Sequence, residues 1–350
     1  MIPRKIGITT TVPAEVSLAA GYMLVDLNNV FVSDPNPERL VTIAERDGFP
    51  QNCCTWIKGI YGVCKAYDIE KVLCVTSGDC SNTIMLMEVL SLEGFEVSQF
   101  AYPTIPNIHR MRHSLEALAE TLGTTLEAAE KVRTSLVSCR NLTNEMDNLT
   151  WNEGVVSGWE NHYWLVSTSD FSGDIVTYEQ QLRDFIGNCR KRQRYSQDMP
   201  RIAVIGVPPI FAKDMYRYIE QQGARVVFNE IQRQFSMPHP ANSLPEQYVS
   251  YTYPYSIFDR IQDIVPELRR RRVDGVIHYV QSFCHRGIGD IIFRRVIDCP
   301  ILTLEGNADY ILHQQGRTKV EAFIDMLQRR QRMPRETGGE TKGGVHGLSA

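Results

Sequence analysis

The chain has 350 residues, 43% hydrophobic and 22% charged, with 37 basic against 41 acidic side chains and a net charge of −4. That composition excludes disorder over most of the length and gives no electrostatic footprint for a nucleic-acid binder. No run of about 18 uninterrupted apolar residues occurs, so no membrane-spanning helix is expected, and at roughly 100–200 residues per domain the length predicts two domains or one large one.

Short β-rich runs alternate with longer amphipathic stretches, the pattern of an α/β protein with parallel sheets. The opening, Met1 to Ile8, reads as a short strand and lacks the apolar stretch and cleavage site of a signal peptide, so a cytoplasmic protein is expected. Strands are predicted at Lys5–Thr9, Tyr22–Leu27, Lys71–Thr76 and Glu96–Tyr102. Helices are predicted at Pro13–Ala20, Pro37–Asp47, Cys53–Tyr67 and Ser81–Glu93. Residues 106–150 read as mostly helical, with Leu115, Leu118, Leu122 and Leu126 at helical spacing. Together, residues 1–150 read as an N-terminal Rossmann-like domain with a helical extension.

Residues 151–198 read as a bridge whose basic end, Arg190 to Arg194, suits a linker or an exposed helix end. A second Rossmann-like domain is predicted over 199–331. Strand Arg201–Val207 runs into Pro208-Pro209, helix Phe211–Gln222 stops at Gly223, and strand Ala224–Asn229 leads into a long loop rich in Pro, Ser and Gln. Helix Ile257–Arg272, strand Gly275–Val280, helix Asp290–Ile297, strand Ile301–Glu305 and helix Val320–Arg329 complete it. The arginines 269–272 read as a solvated helix end, where cations favour the dipole. Residues 332–350, rich in Gly, Glu, Thr and Lys, read as a disordered tail. The fold class is therefore α/β: two doubly wound domains with short parallel sheets, a helical bridge and a cleft beyond the carboxyl ends of the strands.

Nine cysteines are far too few for a disulfide scaffold of this length, and in a reducing compartment they are thiols, metal ligands or redox groups. Cys64, Cys74, Cys139, Cys189 and Cys299 read as small hydrophobes in helices, strands or the bridge. Cys54, Cys80 and Cys284 differ, because each stands at a predicted helix start or just past a strand end. A helix N-terminus lowers a thiol's pKa, and thiolate is the form that binds metal. With no local C-x-x-C pair, spacing alone gives no strong metal signature; zinc, which needs no unusual context, is the default ion. His285 beside Cys284 also allows a thiolate–imidazole pair. Phosphate-binding and dinucleotide glycine motifs, G-x-S-x-G and H-E-x-x-H are all absent.

The linear order of motifs resembles the 2-hydroxyacyl-CoA dehydratase and benzoyl-CoA reductase family. The likeness runs from about residue 6 to 328: Val12-Pro13-Ala14-Glu15 with Ala19-Ala20-Gly21; Cys54 leading a helix to Gly62; Gly78-Asp79-Cys80; Asp170-Phe171; Val273 to Ile277 followed by Phe283-Cys284; and Gln315 to Leu327. Lys319 stands where the family usually carries Arg.

The resemblance implies a [4Fe–4S] cluster held in the cleft by Cys54, Cys80 and Cys284, with one iron free of cysteine. Its chemistry would be radical dehydration of an acyl-CoA, driven by a low-potential electron from an ATP-hydrolysing iron–sulfur activator. A second homologous subunit, in a hetero- or homodimer, is implied as well. His285, Arg286, Ser81, Lys58 and Glu15 are candidates to stand behind the ligands. Cys53 is an alternative or fourth ligand. Three other readings stay open: a reductase of an aromatic acyl-CoA or small molecule, with one cubane or a double-cubane [8Fe–9S] cluster; a non-catalytic electron-transfer subunit; and a zinc or metal-free binding module. Neither nucleic acid nor membrane is an expected partner.

Overall fold

The computed structural model describes residues 4–332. Residues 1–3 of the opening strand and residues 333–350 of the expected tail lie outside the described residues, while Arg332 closes the last helix. The chain alternates strands and helices as the hydrophobic pattern predicts. In the first half come β1 (Arg4–Ile8), α1 (Ala14–Ala19), β2 (Tyr22–Asp26), α2 (Leu27–Ser33), α3 (Pro37–Arg46), α4 (Thr55–Ala66), β3 (Lys71–Ser77), α5 (Asn82–Leu92) and β4 (Glu96–Ala101). Residues 106–150 hold two helices, α6 (Ile108–Leu122) and α7 (Leu126–Asn148). Leu126 therefore starts a new helix and does not continue the stripe of Leu115, Leu118 and Leu122, because the chain turns through left-handed Gly123.

After α7 come α8 (Gly158–Val166) and α9 (Ile175–Cys189). This segment is more than a bridge: Leu165, Phe171, Tyr178, Leu182, Ile186 and Cys189 all join the core of the first sheet. Its basic end, Arg190 to Arg194, is exposed, as expected. The second half holds β5 (Arg201–Gly206), α10 (Ala212–Gln221), β6 (Arg225–Asn229), α11 (Glu230–Phe235), α12 (Leu244–Ser250), α13 (Ile257–Arg270), β7 (Gly275–Gln281), α14 (Asp290–Val296), β8 (Ile301–Gly306) and α15 (Gln314–Arg332). Helices α11 and α12 occupy what the sequence presents as a long loop, and α15 begins before Val320.

The strands form two four-stranded parallel sheets, ordered β2-β1-β3-β4 and β6-β5-β7-β8. The two orders are the same once each sheet is counted from its own first strand. The fold is thus an α/β pair of doubly wound units without a visible sequence repeat. In each unit the winding reverses between the first and third strands, which opens a crevice at their carboxyl ends.

Arg271 departs from the solvated helix end expected of residues 269–272. It is fully buried at 0% exposure. Its Nη1 and Nη2 donate to both oxygens of Asp147, at 2.9 and 2.5 Å, and its Nε donates to Glu267 at 2.7 Å. A buried guanidinium is tolerated only when its donors are matched in this way. The pairing ties α7 to the second sheet, since Arg271 Nη1 also reaches the Val227 carbonyl. Among the described residues, no helix is long and apolar enough to cross a membrane.

Candidate functional site

The hydrophobic runs fix where the strands end, and so which residues reach the crevices. Thr9 and Thr10 follow β1, Asp79 and Cys80 follow β3, Val207 to Ile210 follow β5, and Cys284 to Arg286 follow β7. All of them line one cavity of about 470 Å³. Both topological switch points therefore open into the same space. Cys54, at the start of α4, lines it too.

Each of the three cysteines stands at a helical start that no side chain caps. Cys54 is the N-cap of α4, Cys80 precedes the N-cap Ser81 of α5, and Cys284 is the N-cap of a short turn over His285–Gly289. The first N–H groups of a helix have no intrahelical acceptor and carry the positive end of its dipole. Here they converge on the cavity. The N–H groups of Trp56 and Ile57 favour a charged Cys54, that of Asn82 a charged Cys80, and those of Arg286 and Gly287 a charged Cys284.

Burial nevertheless outweighs these dipoles, which corrects the expectation of lowered thiol pKa values. Burial pushes Cys54 up to about 11, with further raising from the charges of Cys284 and Cys53. Burial and the neighbouring Asp79 push Cys80 up to about 12. Burial also raises Cys284, against its N–H donors and the Arg286 guanidinium. The metal-free site therefore holds neutral thiols, whose protons a metal would displace. The three sulfurs sense one another's charge, so they share one environment.

The loops are locked by contacts between the two units. Arg286 Nη2 donates to the Gly78 carbonyl at 2.9 Å, Nη1 donates to the Tyr253 carbonyl at 3.3 Å, and the guanidinium lies 4.4 Å from the Tyr253 ring centroid. Tyr253 in turn donates its hydroxyl to Asp79 at 2.5 Å. Thr55 donates to Asn307 at 3.0 Å, joining the start of α4 to the loop after β8. Phe283, just before Cys284, is a bulky residue held at φ +65°, a strained conformation of the kind that clusters at functional loops. Helix α4 sits close beneath the site because Gly62 lets it approach α3: a Cβ there would meet the Leu40 carbonyl oxygen at 2.1 Å.

Of the residues expected to stand behind the ligands, His285 and Arg286 line the cavity. Ser81 is exposed beside it. Lys58 is buried elsewhere, donating to Glu45 at 2.7 Å and to the Gln51 carbonyl at 3.1 Å. Glu15 is fully buried and accepts from Arg140, Gln247 and Tyr248. Burial would raise its carboxyl, but Arg140 and the two hydrogen bonds hold it below the usual range. Both are structural ties, away from the cavity lining.

Cys64, Cys74, Cys139 and Cys189 are buried in hydrophobic clusters, as small apolar side chains. Cys53 and Cys299 are half-buried, and neither lines the cavity. Nothing in the local pattern singled out Asp26 or Tyr253, and Asp79 stood out only as the neighbour of Cys80 in Gly78-Asp79-Cys80. The one available signal was the cluster of tyrosines at 251, 253 and 255 in a segment read as a polar loop.

Among the described residues, no three His, Cys, Asp or Glu side chains are placed to hold one metal ion. Among solved structures, the SBP FpvC of P. aeruginosa in complex with a Ni2+ ion aligns over 97% of this chain and 100% of its own, with 12% identity and a TM-score of 0.22. That likeness carries no argument about this fold. No curated protein matches the chain. The family model for the 2-hydroxyglutaryl-CoA dehydratase D-component matches residues 9–327, and the chain belongs to that family.

Proposed function

We propose that the chain is the iron–sulfur subunit of a 2-hydroxyacyl-CoA dehydratase-like enzyme, with Cys54, Cys80 and Cys284 as ligands of a [4Fe–4S] cluster. The observation that carries this reading is the convergence of three unpaired cysteines, each at an uncapped helical start, on one cavity shared by both switch points. The donor set suits a cubane better than zinc. A single zinc ion needs its ligands to converge on one point, an arrangement absent among the described residues. Cubane ligands bind separate irons and stand further apart. Three thiolates also leave one iron open to substrate. A double cubane needs more thiols than the three that line this cavity.

When bound, such a cluster supplies low-potential single electrons to an acyl thioester. The chain's own residues do the rest. The helix starts at Cys54, Cys80 and Cys284 supply N–H dipoles that stabilise negative charge on sulfur. Arg286 holds the Cys80 and Cys284 loops at a fixed separation and adds positive charge. The cavity, with Trp56, Ile57, Val207 and Pro208 on its wall, excludes water from a reactive intermediate. Absence of a phosphate-binding glycine loop fits an electron delivered by a separate ATP-hydrolysing activator, and a second homologous subunit completes the assembly.

The test is iron and acid-labile sulfide per chain in protein purified without oxygen. About four of each is expected in the wild type, with loss of the cluster in single Cys54→Ala, Cys80→Ala and Cys284→Ala variants. Iron content unchanged in all three variants would sink the ligand assignment.

A further inference from the structure

The cavity has a second chemical feature, on the wall formed by the first sheet. Asp26 ends β2, lines the cavity and is only 3% exposed. Its Oδ1 accepts from the Asn28 N–H and from Asn28 Nδ2, both at 2.9 Å. Its own backbone N–H donates to Asp170 Oδ2 at 2.9 Å, which brings a second, half-buried carboxylate up behind it. Asp170 is held there by a strained turn, with Phe171, Ser172 and Gly173 at φ of 51°, 52° and 79°. Three consecutive left-handed residues, two of them not glycine, cost energy that the surrounding packing must supply, and such strain concentrates where geometry serves function.

We propose that Asp26 is the proton-transferring residue of this cavity, and that Asp170, anchored on the Asp26 backbone N–H, positions it and by its charge keeps one proton on the pair. The assignment rests on the dehydratase-like reading above. Two carboxylates this near, one buried and the other half-buried, cannot both ionise freely. The groups that face the pair come from several elements: Asn28 and Asn29 from α2, Ser169 from the turn, Tyr251 from beyond α12, and Tyr178 of α9 against Asp170. Of these only the tyrosines titrate, and burial keeps both far above neutral pH. Burial and hydrogen bonds lead among the influences on both carboxyls, with the Asp26 charge added at Asp170, and Arg140 of α7, 5.9 Å from the Phe171 ring centroid, is paired with Glu15. Burial and the Asp26 charge push Asp170 up to about 7, and burial also raises Asp26 against its hydrogen bonds.

A pair holding one proton at neutral pH suits a net elimination of water. In a 2-hydroxyacyl thioester a C–H bond breaks on carbon 3, a C–O bond breaks on carbon 2, and a C=C bond forms between them. The proton leaving carbon goes to the Asp26 carboxylate. Asp26, the member of the pair that lines the cavity, then passes a proton to the departing hydroxide, giving water. The pair ends with the charge it began with, and the net change needs no oxidant or reductant.

The test uses the full chain in two arms. Infrared titration of carboxyl bands reads the pair directly. One carboxyl is expected to protonate near neutral pH in the wild type and to be lost in both Asp26→Asn and Asp170→Asn. Asn serves an N-cap as well as Asp does, so Asp26→Asn leaves the start of α2 capped. The second arm uses cluster-loaded protein, a low-potential one-electron donor and 2-hydroxyglutaryl-CoA as probe. Asp26→Asn is expected to lower turnover by about 10²–10⁴-fold with iron content unchanged. Asp170→Asn is expected to move the acid limb of the pH–rate profile to lower pH, because Asp26 loses its like-charged neighbour and ionises more readily. A wild type with no carboxyl titrating near neutral pH, full turnover in Asp26→Asn, or an unmoved limb in Asp170→Asn overturns the proposal. Where the probe is not turned over, the infrared arm decides alone. A chain that holds no iron overturns the functional reading instead, and the iron assay separates that failure from this one.

Discussion

Gly78 sets the geometry of the Cys80 loop through its backbone. It sits at φ +93°, and a Cβ there would meet Pro254 Cβ at 2.6 Å and Tyr102 Cβ at 2.9 Å. Its carbonyl is also the acceptor for Arg286. Gly78→Ala would thus strain the backbone, collide with two side chains and displace the contact that joins the cysteine loops. A cost of about 1–3 kcal/mol is expected, read as a lower Tm, together with a lower iron content because Cys80 moves. A variant with wild-type Tm and iron content would show that the loop tolerates what its packing says it cannot.

At the scale of elements, short α11 shows where sequence reading stops. All six of its residues, Glu230 to Phe235, are buried, yet four are charged or amide side chains. Hydrophobic periodicity cannot find such a helix, because its burial is enabled by distant partners. Glu230 takes a bidentate pair from Arg260, Arg233 reaches both oxygens of Asp263, and Gln234 reaches Asp263 as well. The same reason hides Asp26–Asp170 and Asp79–Tyr253, whose members lie 144 and 174 residues apart. The places of Cys54, Cys80 and Cys284 at strand ends and helix starts were legible, since local apolar runs set those ends. Asp263 gives the element its test. Burial would raise its carboxyl, but His239 and Arg233 bring it down from 3.8 to about 2. A carboxylate with a depressed pKa stabilises the fold above its unfolded pKa and loses that contribution as pH falls through the folded value. Here the window runs from about pH 4 down to about 2, and the contribution is about 2 kcal/mol. Asp263→Asn should lower stability at neutral pH and flatten the stability–pH curve across that window. A denaturation series in which wild type and variant run parallel there would remove Asp263 from the account.

For the molecule as a whole, the two sheets repeat one topology and turn their switch points toward each other. The proposed ligands are divided between them: Cys54 and Cys80 belong to the first unit, Cys284 to the second. Protein ties already span the divide, through Arg271–Asp147, Arg286–Gly78 and Thr55–Asn307. A cluster bonded to both units adds a tie that the unfolded chain cannot offer, because its thiolates are gathered only in the fold. Binding restricted to the native state stabilises that state by mass action. Removing iron with a chelator, without oxygen, should therefore lower the Tm. The drop should be large in the wild type and absent in Cys284→Ala, where the second unit has no ligand to contribute. A chelator effect of equal size in both proteins would mean that iron sits within the first unit alone, and would break the link between the paired sheets and the site they share.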